Sequence, residues 1–115
     1  MDHLGKLKEI VETYARHGWR VRRALLRAET SAGLQSRPEI AALLNDASVR
    51  EEAALDALWF ARPSHLGREA WELRLVGDSP YALFETFEPD EAEEDREDVR
   101  REMEARLREY AEGKG

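Results

Sequence analysis

The sequence predicts an α+β fold, a two-layer sandwich in which a mostly antiparallel four-stranded sheet packs against helices. Three patterns predict it: helical spacing of apolar residues near the start of the chain, strict apolar and polar alternation over residues 69–76, and a highly charged composition after Pro89. The predicted element order is α-β-α-β-β-β-α. The 115 residues fit a single domain, residues 1–115, without a linker that would separate two domains.

Residues 2–17 are predicted to form an amphipathic helix. Asp2 suits the N-cap position, and Gly18 suits the stop, because glycine readily adopts the left-handed conformation that ends many helices. The apolar side chains recur at three- and four-residue spacing and therefore share one face. They are Leu4, Leu7, Ile10, Val11 and Tyr14.

Residues 19–27 are predicted to form the first strand, because apolar side chains alternate with arginines at a period of two. Arg23 breaks the alternation. We therefore expect either a bulge at Arg23 or its partial burial against a carboxylate. The direction of this strand relative to the others stays open, because a helix separates it from the next strand.

The middle of the chain has less regular patterns. Residues 28–36 are rich in small and turn-forming residues and are predicted to be a loop. A capping-box pattern at residues 36–39 predicts a short helix over residues 37–44. Residues 49–54 fit a helix or a strand equally. Residues 54–62 carry two aromatic side chains and are predicted to form a strand.

The clearest strand pattern covers residues 69–76, where clean alternation indicates one buried face and one wet face. The Gly-Asp-Ser-Pro sequence at residues 77–80 predicts a turn, and residues 81–87 return as the hairpin partner. We expect the buried face of the first of these strands to lie against the N-terminal helix. This face consists of Trp71, Leu73 and Leu75.

Residues 90–112 are predicted to form a long acidic C-terminal helix with a cap at Asp90. Its first turns, residues 90–98, have little to bury and are expected to project. A narrow apolar stripe runs along the remainder: Val99, Met103, Leu107 and Tyr110. This stripe must be covered by the chain's own sheet or by a second copy, because an isolated helix is marginal in water. The projecting acidic turns favour a homodimer through the stripe.

The charge of the chain is unevenly distributed. Its formal net charge is −7, yet residues 1–30 carry seven Lys/Arg against four Asp/Glu, whereas residues 85–115 carry thirteen Asp/Glu against six Lys/Arg. Cysteine is absent, which excludes disulfides and thiolate metal sites. No apolar run is long enough to span a membrane and no signal-peptide pattern occurs, so we expect a cytoplasmic protein that makes no membrane contact.

Motifs for catalysis, metal binding or nucleotide binding do not occur in the sequence. The histidines at positions 3, 17 and 65 lack metal-ligand spacing, and no glycine-rich phosphate loop is present. We therefore predict no metal, no cofactor and no catalytic residue, and favour a non-enzymatic protein. Among the carboxylates, Asp56 lies between apolar neighbours, and its pairing with an arginine such as Arg23 favours a structural role.

Two groups of residues are candidates for binding. Arg20, Arg22 and Arg23 form a basic patch on the first strand that suits RNA, but the acidic balance of the chain makes nucleic acid the disfavoured partner. The second group lies in the stretch from residue 59 to residue 71, which is dense in aromatic and cationic side chains. Its ligand or partner contacts would be Trp59, Arg62, His65 and Arg68, with a pair of core tryptophans flanking a polar loop as the alternative interpretation.

The leading hypothesis is a non-enzymatic protein–protein interaction module, such as a small acidic chaperone or adaptor that holds an extended segment of a protein partner. A small ligand-binding domain or enzyme that uses the loop at residues 62–69 is the second hypothesis. RNA binding through the basic first strand is the third.

Overall fold

The computed structural model describes residues 2–114, so Met1 and Gly115 of the predicted domain lie outside the described residues. The helices are α1 (His3–Arg16), α2 (Ala28–Gln35), α3 (Pro38–Ala41) and α4 (Glu93–Lys114). The strands are β1 (Arg20–Leu26), β2 (Ser48–Glu51), β3 (Ala57–Pro63), β4 (Glu69–Leu75) and β5 (Ala82–Phe87). Short 3₁₀ turns occupy Ala42–Leu44 and His65–Gly67. No helix among the described residues is long and apolar enough to cross a membrane.

The strands form one mixed sheet in the order β2-β1-β3-β4-β5. β1 runs parallel to β2 and antiparallel to β3, and the remaining pairs are antiparallel. The prediction of four strands was therefore wrong, because β2 adds a fifth. β2 is a four-residue edge strand with every residue exposed, so no apolar alternation marked it in the sequence.

Helices cover both faces of the sheet. α1, α2 and α3 pack on the front face, over a core that includes Leu7, Ile10, Leu58 and Phe60. α4 packs on the back face, over a second core that includes Trp59, Trp71, Leu73 and Leu107. The two-layer prediction was wrong, and so was the expectation that Trp71 and Leu73 face the first helix. The physical reason is the central strand β3, whose residues 57–61 are all buried, as a strand between two helical layers requires.

The capping residues of α1 act as predicted. The Gly5 N–H donates to Asp2 Oδ1 at 2.7 Å, which satisfies one free amide of the first turn. Gly18 has φ +84°, a conformation that favours glycine, and turns the chain directly into β1. α1 then lies across the front face with Leu7, Ile10 and Val11 buried.

Both alternatives expected for Arg23 are present. The pairing of β1 with β3 shifts register between Val21 and Arg23, which makes Arg22 the extra residue of a bulge. The Arg23 guanidinium also donates two hydrogen bonds of 2.8 Å to the carboxylate of Glu97 in α4. Basic β1 thus receives the acidic helix within one chain.

Residues 28–36 were predicted to be a loop, but Ala28–Gln35 form helix α2 and Ser36 is its C-cap. The Asp56 carboxylate explains the difference, because it accepts 2.7 Å hydrogen bonds from the Arg27 N–H and from the Thr30 hydroxyl at the start of the helix. Leu34 completes the attachment by entering the front core. Asp56 lies far from α2 in the chain, and the local sequence does not reveal its hydrogen bonds.

α4 begins at Glu93 rather than at Asp90, and its apolar stripe faces the chain's own sheet. Met103 and Leu107 are buried in the back core, with Val99 partly buried beside them. The ring of Tyr110 stacks on that of Tyr81 with 3.6 Å between centroids. A homodimer would therefore need a surface other than this stripe.

Candidate functional site

The residues predicted to contact a ligand or partner in the stretch from residue 59 to residue 71 do not converge. Trp59 is fully buried on the back face and donates its Nε1–H to Glu104 Oε2 at 2.8 Å. Arg62 follows three positions later on the front face, where it donates to the carbonyl of His17 at 2.7 Å. Its guanidinium lies 4.8 Å from the centroid of the Trp19 ring.

The other two predicted residues lie at the β3–β4 turn and are directed elsewhere. His65 is exposed, and Arg68 donates to Glu88 at 2.8 Å. Between them Leu66 has φ +58° and an 83% exposed side chain. A left-handed backbone is unfavourable for leucine, so this turn presents an apolar side chain to water at a cost in backbone energy.

The bulge in β1 places the arginine side chains of the predicted basic patch together on the back face of the sheet. Arg20 pairs with Ala61 and Arg23 pairs with Trp59, both of which belong to the back core. The guanidiniums of Arg22 and Arg23 lie 5.4 and 5.6 Å from the centroid of Trp71. The guanidinium of Arg100 in α4 lies 4.0 Å from the same centroid, so three guanidiniums contact the Trp71 indole.

Acidic side chains interrupt this patch. A cleft of about 290 Å³ contains Arg20 and Arg22 together with Asp46 and Glu69. An adjoining cleft of about 430 Å³ contains Arg22, Arg100 and Glu93. The surface is therefore mixed in charge, which does not match the continuous basic track that nucleic-acid backbones require.

A different surface, on the front face, combines exposed aromatic groups with a free strand edge. Phe84 of β5 is 59% exposed, and its ring lies 6.3 Å from that of Trp19 in an edge-on arrangement. Tyr14 continues the aromatic row with centroids 6.1 Å from Trp19 and 4.0 Å from Phe60. We call Phe84, Trp19 and Tyr14 the front aromatic row.

A small pocket of about 160 Å³ opens beside this row, between the end of α1 and β4. It is lined by Thr13, Tyr14, His17, Trp19 and Glu72. The Tyr14 hydroxyl donates to the Glu72 carboxylate, and burial together with this carboxylate raises the pKa of Tyr14 above its ordinary value. Tyr14 is thus a neutral hydrogen-bond donor in the lining of the pocket.

β5 is an edge strand of the sheet, so one side of its backbone has no neighbouring strand among residues 2–114. The Leu75 N–H donates to the Tyr81 carbonyl at 2.9 Å, which fixes the alternation of inward and outward groups along β5. Ala82, Phe84 and Thr86 consequently direct their N–H and C=O groups away from the sheet. Only the Thr86 amide is shielded among these three, by the carboxylate of Glu85 at 3.0 Å.

Asp56 pairs with Arg27 rather than with the suggested Arg23. Its buried carboxylate accepts from Arg27 Nη2 at 3.1 Å and contacts His3 Nε2 at 2.6 Å. The Thr30 hydroxyl donates to the same oxygen as His3, so the histidine does not activate the hydroxyl as a base in a catalytic triad would. Among the described residues, no cluster of His, Asp and Glu side chains is arranged to hold a metal ion.

Phe84 and Trp19 were missed as surface residues, although the sequence contained a signal for Phe84. The predicted hairpin places Phe84 opposite Glu72, on the wet face that Glu72 and Arg74 mark. Because that face was predicted to be solvent-exposed, the aromatic side chain of Phe84 could have been predicted to lie on the surface. Trp19 gave no such signal, because its position depends on the packing of α1.

Comparison with protein-family models, curated proteins and solved structures finds no match to this chain.

Proposed function

We propose that this protein is a non-enzymatic interaction module that holds an extended segment of a protein partner along strand β5. The observation that carries the proposal is the 59% exposure of Phe84 on a sheet edge with unpaired backbone groups. Natural sheet edges are usually blunted by charges, prolines or covering elements. An exposed edge of this kind can instead accept an extended segment of a partner as an added strand, with side chains beside the edge supplying specificity.

Backbone hydrogen bonds would supply the sequence-independent part of the affinity. Ala82 and Phe84 each offer an outward N–H and C=O, and a partner strand beside them would satisfy all four groups. Glu85 would have to release the Thr86 amide for pairing to extend further. The binding register would therefore centre on Phe84.

Side-chain contacts would supply specificity. Phe84 and Trp19 present two aromatic rings beside the pocket of about 160 Å³, a volume that suits one side chain of moderate size. Aromatic side chains dominate the energetics of many protein interfaces. We infer a partner segment whose alternate residues are apolar, so that one faces Phe84.

The charge of the chain favours a basic partner over a second copy. Glu85 on β5 makes no ion pair with any described residue, and the net charge of the chain is −7. Two copies paired edge to edge through β5 would bring their Glu85 carboxylates close together, and like charges across strands are destabilising. We accordingly expect the mass of a monomer in static light scattering.

The test is peptide selection followed by measured affinity. Short random peptides would be selected on the wild-type protein, and the enriched peptides titrated by calorimetry against the wild type, Phe84→Ala and Val49→Ala. Val49 is the matched control, because it is also an exposed apolar residue on an edge strand, at the opposite end of the sheet. We expect Phe84→Ala to weaken binding about tenfold or more, as truncation of an aromatic hot spot does, and Val49→Ala to leave it nearly unchanged.

Backbone NMR provides the second readout of the same experiment. Amide signals of residues 82–86 should shift on addition of an enriched peptide, since these groups would gain hydrogen-bond partners. The proposal fails if enriched peptides bind Phe84→Ala as tightly as the wild type, if the shifts lie elsewhere, or if repeated selection enriches no peptide.

A further inference from the structure

We propose a second site, independent of the first, in which Arg20 and Arg22 bind a single oxyanion, a phosphate or carboxylate group, in the cleft of about 290 Å³ on the back face. We call it the β1 cleft. It is separated from β5 by two strands, and its chemistry differs from strand addition.

The β1 cleft exists because of a small residue in the central strand. Ala61 lies between Arg20 of β1 and Trp71 of β4 in the register of the sheet. One pair further along, Trp59 fills the same face and is buried beneath α4. The short side chain of Ala61 therefore leaves a depression that is bordered by long side chains and has no α4 residue in its lining.

Arg22 is held in place at the border of this depression. As the extra residue of the bulge it lies on the same side of the sheet as Arg23, and its guanidinium rests near the Trp71 indole at 5.4 Å. Stacking against an aromatic ring leaves the edge of a guanidinium, with its N–H groups, available to a ligand. The side chains of Arg20 and Arg22 make no ion pair or hydrogen bond with a described residue.

The neighbouring arginines show that other cations near Trp71 are already compensated. Arg23 is held by Glu97 through two hydrogen bonds, and Arg100 donates to both Glu93 and Glu97. The Arg100 side chain is only 2% exposed, and its Nε has no partner in the part of the chain that the structure describes. Arg100 is thus buried and compensated by two carboxylates, and it is not available to a ligand of the β1 cleft.

The carboxylates near the β1 cleft are compensated in the same way, with one exception. Glu69 accepts from Trp71 Nε1 at 2.7 Å and lies 3.6 Å from Arg96 Nη1. Asp46 makes no contact with a cation among the described residues. Arg62 also lines the cleft, but its guanidinium donates to the carbonyl of His17 and lies against the Trp19 ring. The charged side chains without a hydrogen-bond or ion-pair partner among the described residues are therefore Arg20 and Arg22 against Asp46, an excess of one positive charge in a chain of net charge −7.

This balance limits the ligand to one compact anionic group. A guanidinium offers paired N–H donors that match the oxygens of a phosphate or a carboxylate. A nucleic-acid backbone would need several such contacts in a row, whereas Asp46 and Glu69 border the cleft on its other sides. Free phosphate and a carboxylate-bearing small molecule share this chemistry, and the experiment separates them.

The test is NMR titration of the intact protein with sodium phosphate and, separately, with sodium acetate, at constant ionic strength. Saturable shifts of the Arg20, Val21 and Arg22 amides are expected with at least one anion. The double variant Arg20→Gln/Arg22→Gln should lose these shifts, and Arg101→Gln, which removes an exposed arginine from α4, should keep them. Unchanged circular dichroism would show that the double variant is folded, which is expected for two exposed side chains.

Asp46→Asn provides a test of opposite sign. Removal of this carboxylate should tighten binding several-fold, because a like charge near a bound anion opposes it. Saturation by phosphate alone or by acetate alone identifies the ligand class, and saturation by both indicates a general oxyanion site. The proposal is overturned if neither anion gives saturable shifts, if Arg101→Gln loses them equally, or if Asp46→Asn weakens binding.

Discussion

The contact between Arg23 and Glu97 is an ion pair with two hydrogen bonds that connects β1 to α4. Its two hydrogen bonds of 2.8 Å lower the pKa of Glu97 from its ordinary 4.5 to about 2, with Arg100 contributing through a further hydrogen bond of 3.0 Å. The substitution Glu97→Gln keeps the shape and removes the charge. It should therefore reveal what this ion pair contributes to the free energy of unfolding.

The expected magnitude follows from linkage. A pKa lowered by this amount corresponds to about 3.4 kcal/mol at pH 7 if the pair were fully shielded from water. The Glu97 side chain is 33% exposed, so solvent screens the interaction, and we expect about 2 kcal/mol. Because the pKa is lower in the folded state, the contribution is complete above the ordinary value of 4.5 and is lost as the pH falls toward 2. At pH 3 the difference between variant and wild type should shrink to about 1 kcal/mol or less.

Urea denaturation followed by tryptophan fluorescence measures this difference, because Trp59 and Trp71 lie beneath α4. The control is Asp98→Asn, the neighbouring position on the same helix, where an exposed ion pair with Arg101 should contribute less than about 0.5 kcal/mol at either pH. A loss for Glu97→Gln that stays constant between pH 7 and pH 3 would refute the electrostatic reasoning. A loss no larger than that of the control would refute the magnitude.

Three further outcomes are expected. Leu73→Ala should lower the free energy of unfolding by about 2–5 kcal/mol in the same urea experiment, because Leu73 is fully buried in the back core, and a loss under about 1 kcal/mol would contradict that burial. Leu66→Asn should raise it by about 1 kcal/mol, since asparagine tolerates a left-handed backbone better than leucine, and a clear destabilisation would show that the exposed leucine stabilises the fold. In fluorescence anisotropy at physiological salt, labelled RNA and DNA oligonucleotides should show no tight binding, and submicromolar, salt-tolerant affinity would overturn this expectation.

The sequence predicted elements whose stabilising groups lie nearby in the chain. α1 followed from its apolar spacing and caps, and the β4–β5 hairpin followed from alternation interrupted by a turn sequence. Arg23 was identified as an anomaly because it broke a local pattern, and the structure explains it by both expected causes. Local periodicity carried enough information in each case.

Elements stabilised by distant groups were not predictable in this way. α2 depends on Asp56, which is far away in the chain, and β2 depends on parallel pairing with β1. The second helical layer did have a signal, because the uninterrupted apolar run at residues 57–61 is typical of a strand buried on both faces. The same limit applies to the candidate sites, since the β1 cleft depends on how β1 pairs in the sheet, which the sequence left open, and the front aromatic row depends on the packing of α1 against the sheet.

The division of the apolar side chains between two faces has a consequence for the protein during its synthesis. Every strand and the whole front core precede α4 in the chain, so the sheet leaves the ribosome before the helix that covers its back face. At about 5–20 residues per second, the 22 residues of α4 take roughly one to four seconds to add. During that interval Trp59, Trp71 and Leu73 would face water or a chaperone. The nascent chain should therefore be most prone to aggregation just before its last helix emerges.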